Sequence, residues 1–197
     1  MPHLDLSLAC IIAYLFGSLS SAVLVCKWMG LADPRTQGSQ NPGATNVLRI
    51  GGKKAAFLTL AGDVLKGVLP VLAAKYYGFT PFELSLVALS AFVGHLYPIF
   101  FRFRGGKGVA TMLGVSFALT WPFGLALVLT WLGTAITFRY SSLAALVMTI
   151  AAPFYAWYLM GIPSACVIGV MSLLLIIRHR QNILKLLKGT ESKIGKK

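Results

Sequence analysis

What most constrains this chain is a succession of long apolar runs: Leu6 to Val25, Ala55 to Tyr77, Leu84 to Phe101, Val109 to Trp121, Phe123 to Phe138, Leu143 to Met160 and Ser164 to Ile177. About 20 apolar residues in helical form cross a hydrocarbon core of roughly 30 Å. Lipid offers no water to satisfy backbone N–H and C=O groups, so such runs must become helices that bond internally. Hydrophobic residues make up 57% of the chain and charged residues 12%, about half the charged usage of an ordinary soluble domain. The pattern predicts an all-α membrane protein: a seven-transmembrane-helix bundle in one domain, residues 1–197. The first run is long enough to span and lacks a basic segment before it, so it reads as a retained helix rather than a signal peptide.

The thirty residues from Val109 to Phe138 fit either one over-long helix or two short ones, and the two readings put the C-terminus on opposite sides. Basic residues decide between them, because short cytoplasmic loops carry an excess of Lys and Arg. With seven spans and the N-terminus outside, sixteen of the eighteen Lys and Arg residues fall on the cytoplasmic face, the whole basic tail from Arg178 onward included. A six-span reading exports Arg139 and that tail. Pro122 lacks the N–H that an unbroken helix would use there, so a tight outer turn is expected at Trp121 to Gly124. The net charge of +13 is thereby assigned to anionic headgroups and anionic solutes at the inner face, and nucleic acid is not expected as a partner. Cys10, Cys26 and Cys166 sit in or at the end of apolar runs with no CxxC or Cys/His cluster, so they read as packing residues and metal binding is not expected.

Three polar segments fall on that same inner face. The first runs from Asp33-Pro34-Arg35 through Gly38-Ser39-Gln40-Asn41-Pro42-Gly43-Ala44-Thr45-Asn46, a polar, glycine-bearing loop, to Arg49. The second is Gly94-His95-Leu96-Tyr97-Pro98 followed by Arg102, Arg104 and Gly105-Gly106-Lys107-Gly108. The third is Arg178-His179-Arg180-Gln181-Asn182. Glycines let backbone N–H groups approach an anion, and the helix expected to start at Val109 offers free N–H groups and a favourable dipole. Gly105 to Gly108 also fits a plain turn with a snorkelling Lys107, and it lacks the spacing and the flanking strand of a Walker A loop. His179 alone fits an interfacial residue, but Asn182 three positions on shares its helical face. Asp63 and Lys66, one turn apart inside the second run, read as an internal ion pair. The sharper alternative is a transporter's coupling carboxylate, although no inverted repeat accompanies it.

The stretches DPRTQGSQNPGATN, GHLYPIFFRFRGGKGVAT and RHRQNILKLLKGTE resemble, in order and placement, the three signature segments of the bacterial membrane acyl phosphate:glycerol-3-phosphate acyltransferases, the PlsY family. The likeness covers nearly the whole chain, and one departure is Gln40, where many members carry Gly. It implies transfer of a fatty acyl group from acyl phosphate to the 1-hydroxyl of glycerol 3-phosphate, the first acylation of phospholipid synthesis. It also implies a site on the cytoplasmic side of the bacterial inner membrane, membrane lipid around it, and neither cofactor nor metal. Carried across by position, Ser39 and Arg49 are expected to contact substrate. Gly43, Ala44, Thr45 and Asn46 would shape the acyl-phosphate pocket, and Gly105, Gly106, Lys107 and Gly108 would hold the phosphate of glycerol 3-phosphate. His179 and Asn182 match the last functional pair, Glu191 an acid that supports the fold, and Ser142 a further pocket residue.

Many thioester-using acyltransferases carry a His followed five positions later by Asp, which orients the general base. His95 and His179 are followed at that distance by Phe100 and Leu184, so no such dyad lies within one helix. The expected chemistry is direct attack on an already activated acyl phosphate, with proximity and electrostatics as the protein's contribution. The rival class is a small-anion or phospho-metabolite transporter. It predicts polar residues continuing to the outer face, whereas the outer halves of the runs are nearly all apolar.

Overall fold

A computed structural model describes residues 5–195, and within them the chain is helical, with no strand. In chain order the helices are α1 (Leu6–Gly17), α2 (Ser21–Trp28), α3 (Ala44–Tyr76), α4 (Pro81–Leu96), α5 (Val109–Leu119), α6 (Trp121–Phe138), α7 (Ser141–Met160), α8 (Ile162–Arg178) and α9 (Arg180–Leu187), with a 3₁₀ turn at Ile99–Phe101. Each apolar run of the sequence is mostly helical. Five segments are long and apolar enough to cross a membrane, and α8 with α9, bent by 60° at His179, makes a sixth if the pair is taken as one span. The seventh, α5, has 11 residues and so a length of about 17 Å, short of a bilayer's hydrocarbon thickness. The protein is a multi-pass, all-helical membrane protein.

Helix α4 is the hub, packed against α1, α3, α5 and α8. Its Phe92 and Leu96 are fully buried in one core with Met112 and Val115 of α5, Phe123 and Leu127 of α6, Met148 of α7, and Ile168, Met171 and Leu175 of α8. With lipid outside, no hydrophobic effect separates helix from helix, and close packing through small residues becomes the main attraction. Gly17 of α1 lies against the Ala91 backbone of α4, and Gly94 of α4 lies against the backbone of Tyr14 and Ser18. At neither glycine is there room for a Cβ.

Three boundaries differ from the sequence reading. The first run is broken after Gly17, where the Ser18 side chain turns back onto the Tyr14 carbonyl at 2.8 Å, and helix resumes only at Ser21. The second helix starts at Ala44 rather than Ala55, so Ala44, Thr45 and Asn46 lie in its first turn instead of in a loop. A kink at Gly52 (φ 75°, ψ −170°) separates that polar entry from the apolar span. The break before α6 falls on the extended Thr120 (φ −156°, ψ 134°), not across Trp121 to Gly124. Pro122 sits in the first turn of α6, where its missing N–H costs nothing.

Candidate active site

The three polar segments meet at one end of the bundle. Arg178, the last residue of α8, donates from Nη2 to the Gly105 carbonyl at 2.6 Å and from Nε to the Gly106 carbonyl at 3.1 Å. Gly106 also lies beside the Pro42 carbonyl, which would stand 3.1 Å from a Cβ at that position. The glycine loop is thus clamped between the first segment and the third. Its end, Gly108, has φ 94° and is the N-cap of α5, a conformation that favours glycine. The first-turn N–H groups of α5 begin immediately after it.

Lys107 reaches from this loop to the Asn182 carbonyl oxygen on α9. Asn182 in turn donates from Nδ2 to Glu191 Oε1 at 2.8 Å, and Ser142 at the start of α7 donates to the same oxygen at 2.6 Å. One carboxylate therefore ties α7, α9 and the tail together and fixes the face that Asn182 turns toward Lys107. Burial lowers the pKa of the Lys107 ammonium. Glu191 opposes that shift, while Lys185, Arg178 and Arg49 reinforce it. A partly desolvated cation surrounded by other cations is poised to take an anion.

His179 lies at the bend between α8, which ends at Arg178, and α9. It is 3% exposed. Its Nδ1 is 2.9 Å from the Leu175 carbonyl, which can only accept, so Nδ1 carries the proton and Nε2 presents a lone pair. Burial pushes its pKa down to about 4, the bond to Leu175 acting the other way. The imidazole is neutral at neutral pH.

In the first segment Ser39 is exposed, as are Thr45 and Arg49, one turn apart on α3. Asn46 is buried and spends its whole amide on the loop: Oδ1 accepts from the Ser39 N–H at 2.9 Å, and Nδ2 donates to the carbonyls of Pro34 at 2.9 Å and Gln37 at 3.0 Å. It staples the loop. Gly43 is the N-cap of α3, with no side-chain cap, so the N–H groups of Ala44 and Thr45 remain for a ligand. Gln40 has φ 57°, a left-handed conformation that favours glycine over a residue with a Cβ. Asp63 and Lys66 lie apart from this surface, buried in α3 with Lys66 Nζ 2.8 Å from Asp63 Oδ1.

Sequence reading left out the guanidinium cluster. A cavity of about 210 Å³ is lined by Arg35, Gln40, Pro42, Phe103, Arg104, Gly105 and Arg178. Arg35 is held by Asp33 in a paired contact, Nη2 to Oδ2 at 2.6 Å and Nε to Oδ1 at 3.0 Å. The only signal in the sequence was an excess of Arg in all three polar segments. Among the described residues no three His, Cys, Asp or Glu side chains gather as a metal site.

A family model described as "Glycerol-3-phosphate acyltransferase" matches residues 7–189. A glycerol-3-phosphate acyltransferase of Ralstonia nicotianae is 60% identical over 94% of this chain and 92% of its own. One of Methylococcus capsulatus is 54% identical over 94% of each. The fold is similar to the crystal structure of PlsY, an integral membrane glycerol 3-phosphate acyltransferase, in its glycerol 3-phosphate form, with a TM-score of 0.90, 41% identity and 96% of each chain covered. Its lysophosphatidic acid form superposes with a TM-score of 0.88, at 40% identity over 96% of this chain and 95% of that one.

Proposed function

Since the chain belongs to the glycerol-3-phosphate acyltransferase family and is a membrane enzyme of that activity, we propose that its acyl donor is an acyl phosphate and that the polar end described above is where the transfer occurs. The 1-hydroxyl oxygen of glycerol 3-phosphate attacks the acyl carbonyl carbon, the bond from that carbon to the phosphate oxygen breaks, and the hydroxyl proton leaves on the phosphate. The products are 1-acylglycerol 3-phosphate and inorganic phosphate. No acyl-enzyme forms.

Gly105, Gly106, Lys107 and Gly108, with the N-terminus of α5, hold the phosphate of glycerol 3-phosphate. Ser39, Arg49 and the N–H groups of Ala44 and Thr45 receive the acyl phosphate, with Gly43 leading into that helix start and Asn46 fixing the loop. His179 accepts a hydrogen bond from the acceptor through Nε2, and Asn182 aligns it. Glu191 and Ser142 position Asn182. The observation that carries this reading is the chain from the glycine loop through Lys107 to Asn182, Glu191 and Ser142, which fixes a partly desolvated cation one residue before the uncapped start of α5. An activated donor needs only such alignment and charge stabilisation.

The chain works as one domain in the bacterial inner membrane, crossing seven times, the short α5 counted as a crossing over which the bilayer thins, with the N-terminus outside and this site on the cytoplasmic side. What supports that orientation is the basic residues gathered at the polar end. Purified protein given acyl phosphate and glycerol 3-phosphate is expected to release inorganic phosphate and lysolipid in equal amounts. Equal use of an acyl thioester, or a trapped acyl-Ser39, would overturn the reading. Cysteine labelling of the tail from the outer side would overturn the orientation.

A further inference from the structure

Asp63, Lys66 and His95 form a buried charged chain that the reaction as described does not use. Their side chains are 3%, 5% and 5% exposed. Lys66 Nζ donates to the Leu19 carbonyl at 2.8 Å and pairs with Asp63 Oδ1 at 2.8 Å. Leu19 lies in the break between α1 and α2, where a carbonyl loses its helical partner, and inside a membrane such a group must find a donor. Asp63 Oδ1 is in turn 3.6 Å from His95 Nδ1 on α4, too long for a direct hydrogen bond but close enough for the carboxylate to orient the ring. The carboxylate that local sequence fails to give His95 arrives from α3.

The other edge of the ring faces the glycine loop. A Cβ added to Gly106 would collide with His95 Nε2, and the His95 carbonyl accepts the Gly106 N–H at 3.2 Å. His95 therefore holds Gly106 from two sides, through backbone and ring. Lys107 is the next residue, and the N-terminus of α5 begins two further on. The same helix turn of α5 is tied to the same acid, since Thr111 Oγ1 donates to the Asp63 carbonyl at 3.0 Å. A ring displaced by an ångström carries Gly106, Lys107 and the first N–H groups of α5 with it, and misplacement on that scale costs catalysis heavily.

We propose that His95, oriented by the Asp63–Lys66 pair, is a positioning residue for the glycine loop and so sets the affinity for glycerol 3-phosphate. The proposal rests on the assignment of that loop to the acceptor's phosphate. Buried charge in lipid is costly, and here it fixes one edge of a binding loop against the bundle core.

The test is steady-state kinetics of the full chain in detergent micelles, with acyl phosphate and glycerol 3-phosphate varied in turn. His95→Ala is expected to raise KM for glycerol 3-phosphate by about tenfold or more while leaving KM for acyl phosphate within about twofold, and His95→Gln, whose amide reaches toward the Nε2 position beside Gly106, to recover most of the loss. Gly106→Ala alone is expected to raise the same KM. Combined with His95→Asn, whose smaller side chain vacates the Nε2 position, it is expected to cost clearly less than the product of the two single effects. Multiplicative effects, equal rises in both KM values or no effect of His95→Ala would overturn the proposal. If His95→Ala does not purify as a monodisperse protein, the cycle of His95→Asn with Gly106→Ala decides alone. A Lys107→Ala variant without a rise in KM for glycerol 3-phosphate would instead sink the assignment of the loop.

Discussion

The two ends of the bundle solve chain reversal in opposite ways. At the end away from the site the turns are short and closed. Thr80 and Glu83 form a reciprocal capping box at the start of α4, Thr120 alone separates α5 from α6, and Gly161, at φ 83°, separates α7 from α8. Lys75 donates to the Leu119 carbonyl at 3.2 Å and so closes the C-terminus of the short α5. At the other end α3 and α5 begin, like α6 and α8, with no side-chain cap, but among the described residues the four non-glycine residues with positive φ, Gln40, Arg102, Phe103 and Arg139, all lie there. The reciprocal cap on α4 is stability given to the backbone, while left-handed non-glycine residues are stability withheld at the end where a ligand is to bind.

Breaking the contrast at its strongest point means removing a cation from each end. Lys107→Ala is expected to lower kcat/KM by about a hundredfold or more, the scale of losing one charge-stabilising donor, and Lys75→Ala to change it by less than about twofold in the same phosphate-release assay. Glu191→Ala releases both Asn182 and Ser142, and a loss of about tenfold is expected. Retained turnover in that variant would mean that Asn182 needs no holding.

The pH dependence sharpens the comparison through His179. Its folded pKa of about 4 lies below the ordinary 6.5, so the unfolded chain takes up the proton first as pH falls. Its contribution to stability is full above about pH 6.5 and is lost progressively toward pH 4. Thermal unfolding in detergent is expected to show a fall in Tm across that window, and His179→Gln to flatten it. The smallest effects come from the turns. Thr80→Ala should lower stability by about 1 kcal/mol with activity unchanged, and Gln40→Gly should raise it by about 1 kcal/mol by relieving a left-handed backbone. A Tm that moves by less than about 1 °C in both would remove the contrast at the level of the backbone.

Helices were legible where one helix's composition decides them. The apolar runs and the separation of α5 from α6 follow from length, Pro122 and charge. The break after Gly17 was not legible, because its causes lie in another helix: the backbone approach of α4 through Gly94 and the ammonium of Lys66. The early start of α3 was hidden because Ala44 to Lys54 is polar and glycine-bearing, with an apolar span only after the kink at Gly52. Residue types named the polar segments, but not which group faces which. Arg178 reads in sequence as one more inner-face cation, and only the fold sets it on the carbonyls of Gly105 and Gly106.

Glu191 follows all the helices in chain order, and its carboxylate holds Asn182 and Ser142, while just beyond it the Ile194 N–H donates to the Arg139 carbonyl at 2.6 Å. Chains fold from the N-terminus as they are made. During synthesis the bundle can therefore be threaded into the membrane with its glycine loop and histidine in place while the clasp on Asn182 is still missing, so that the nascent chain is an inserted but unfinished catalyst until its tail folds back.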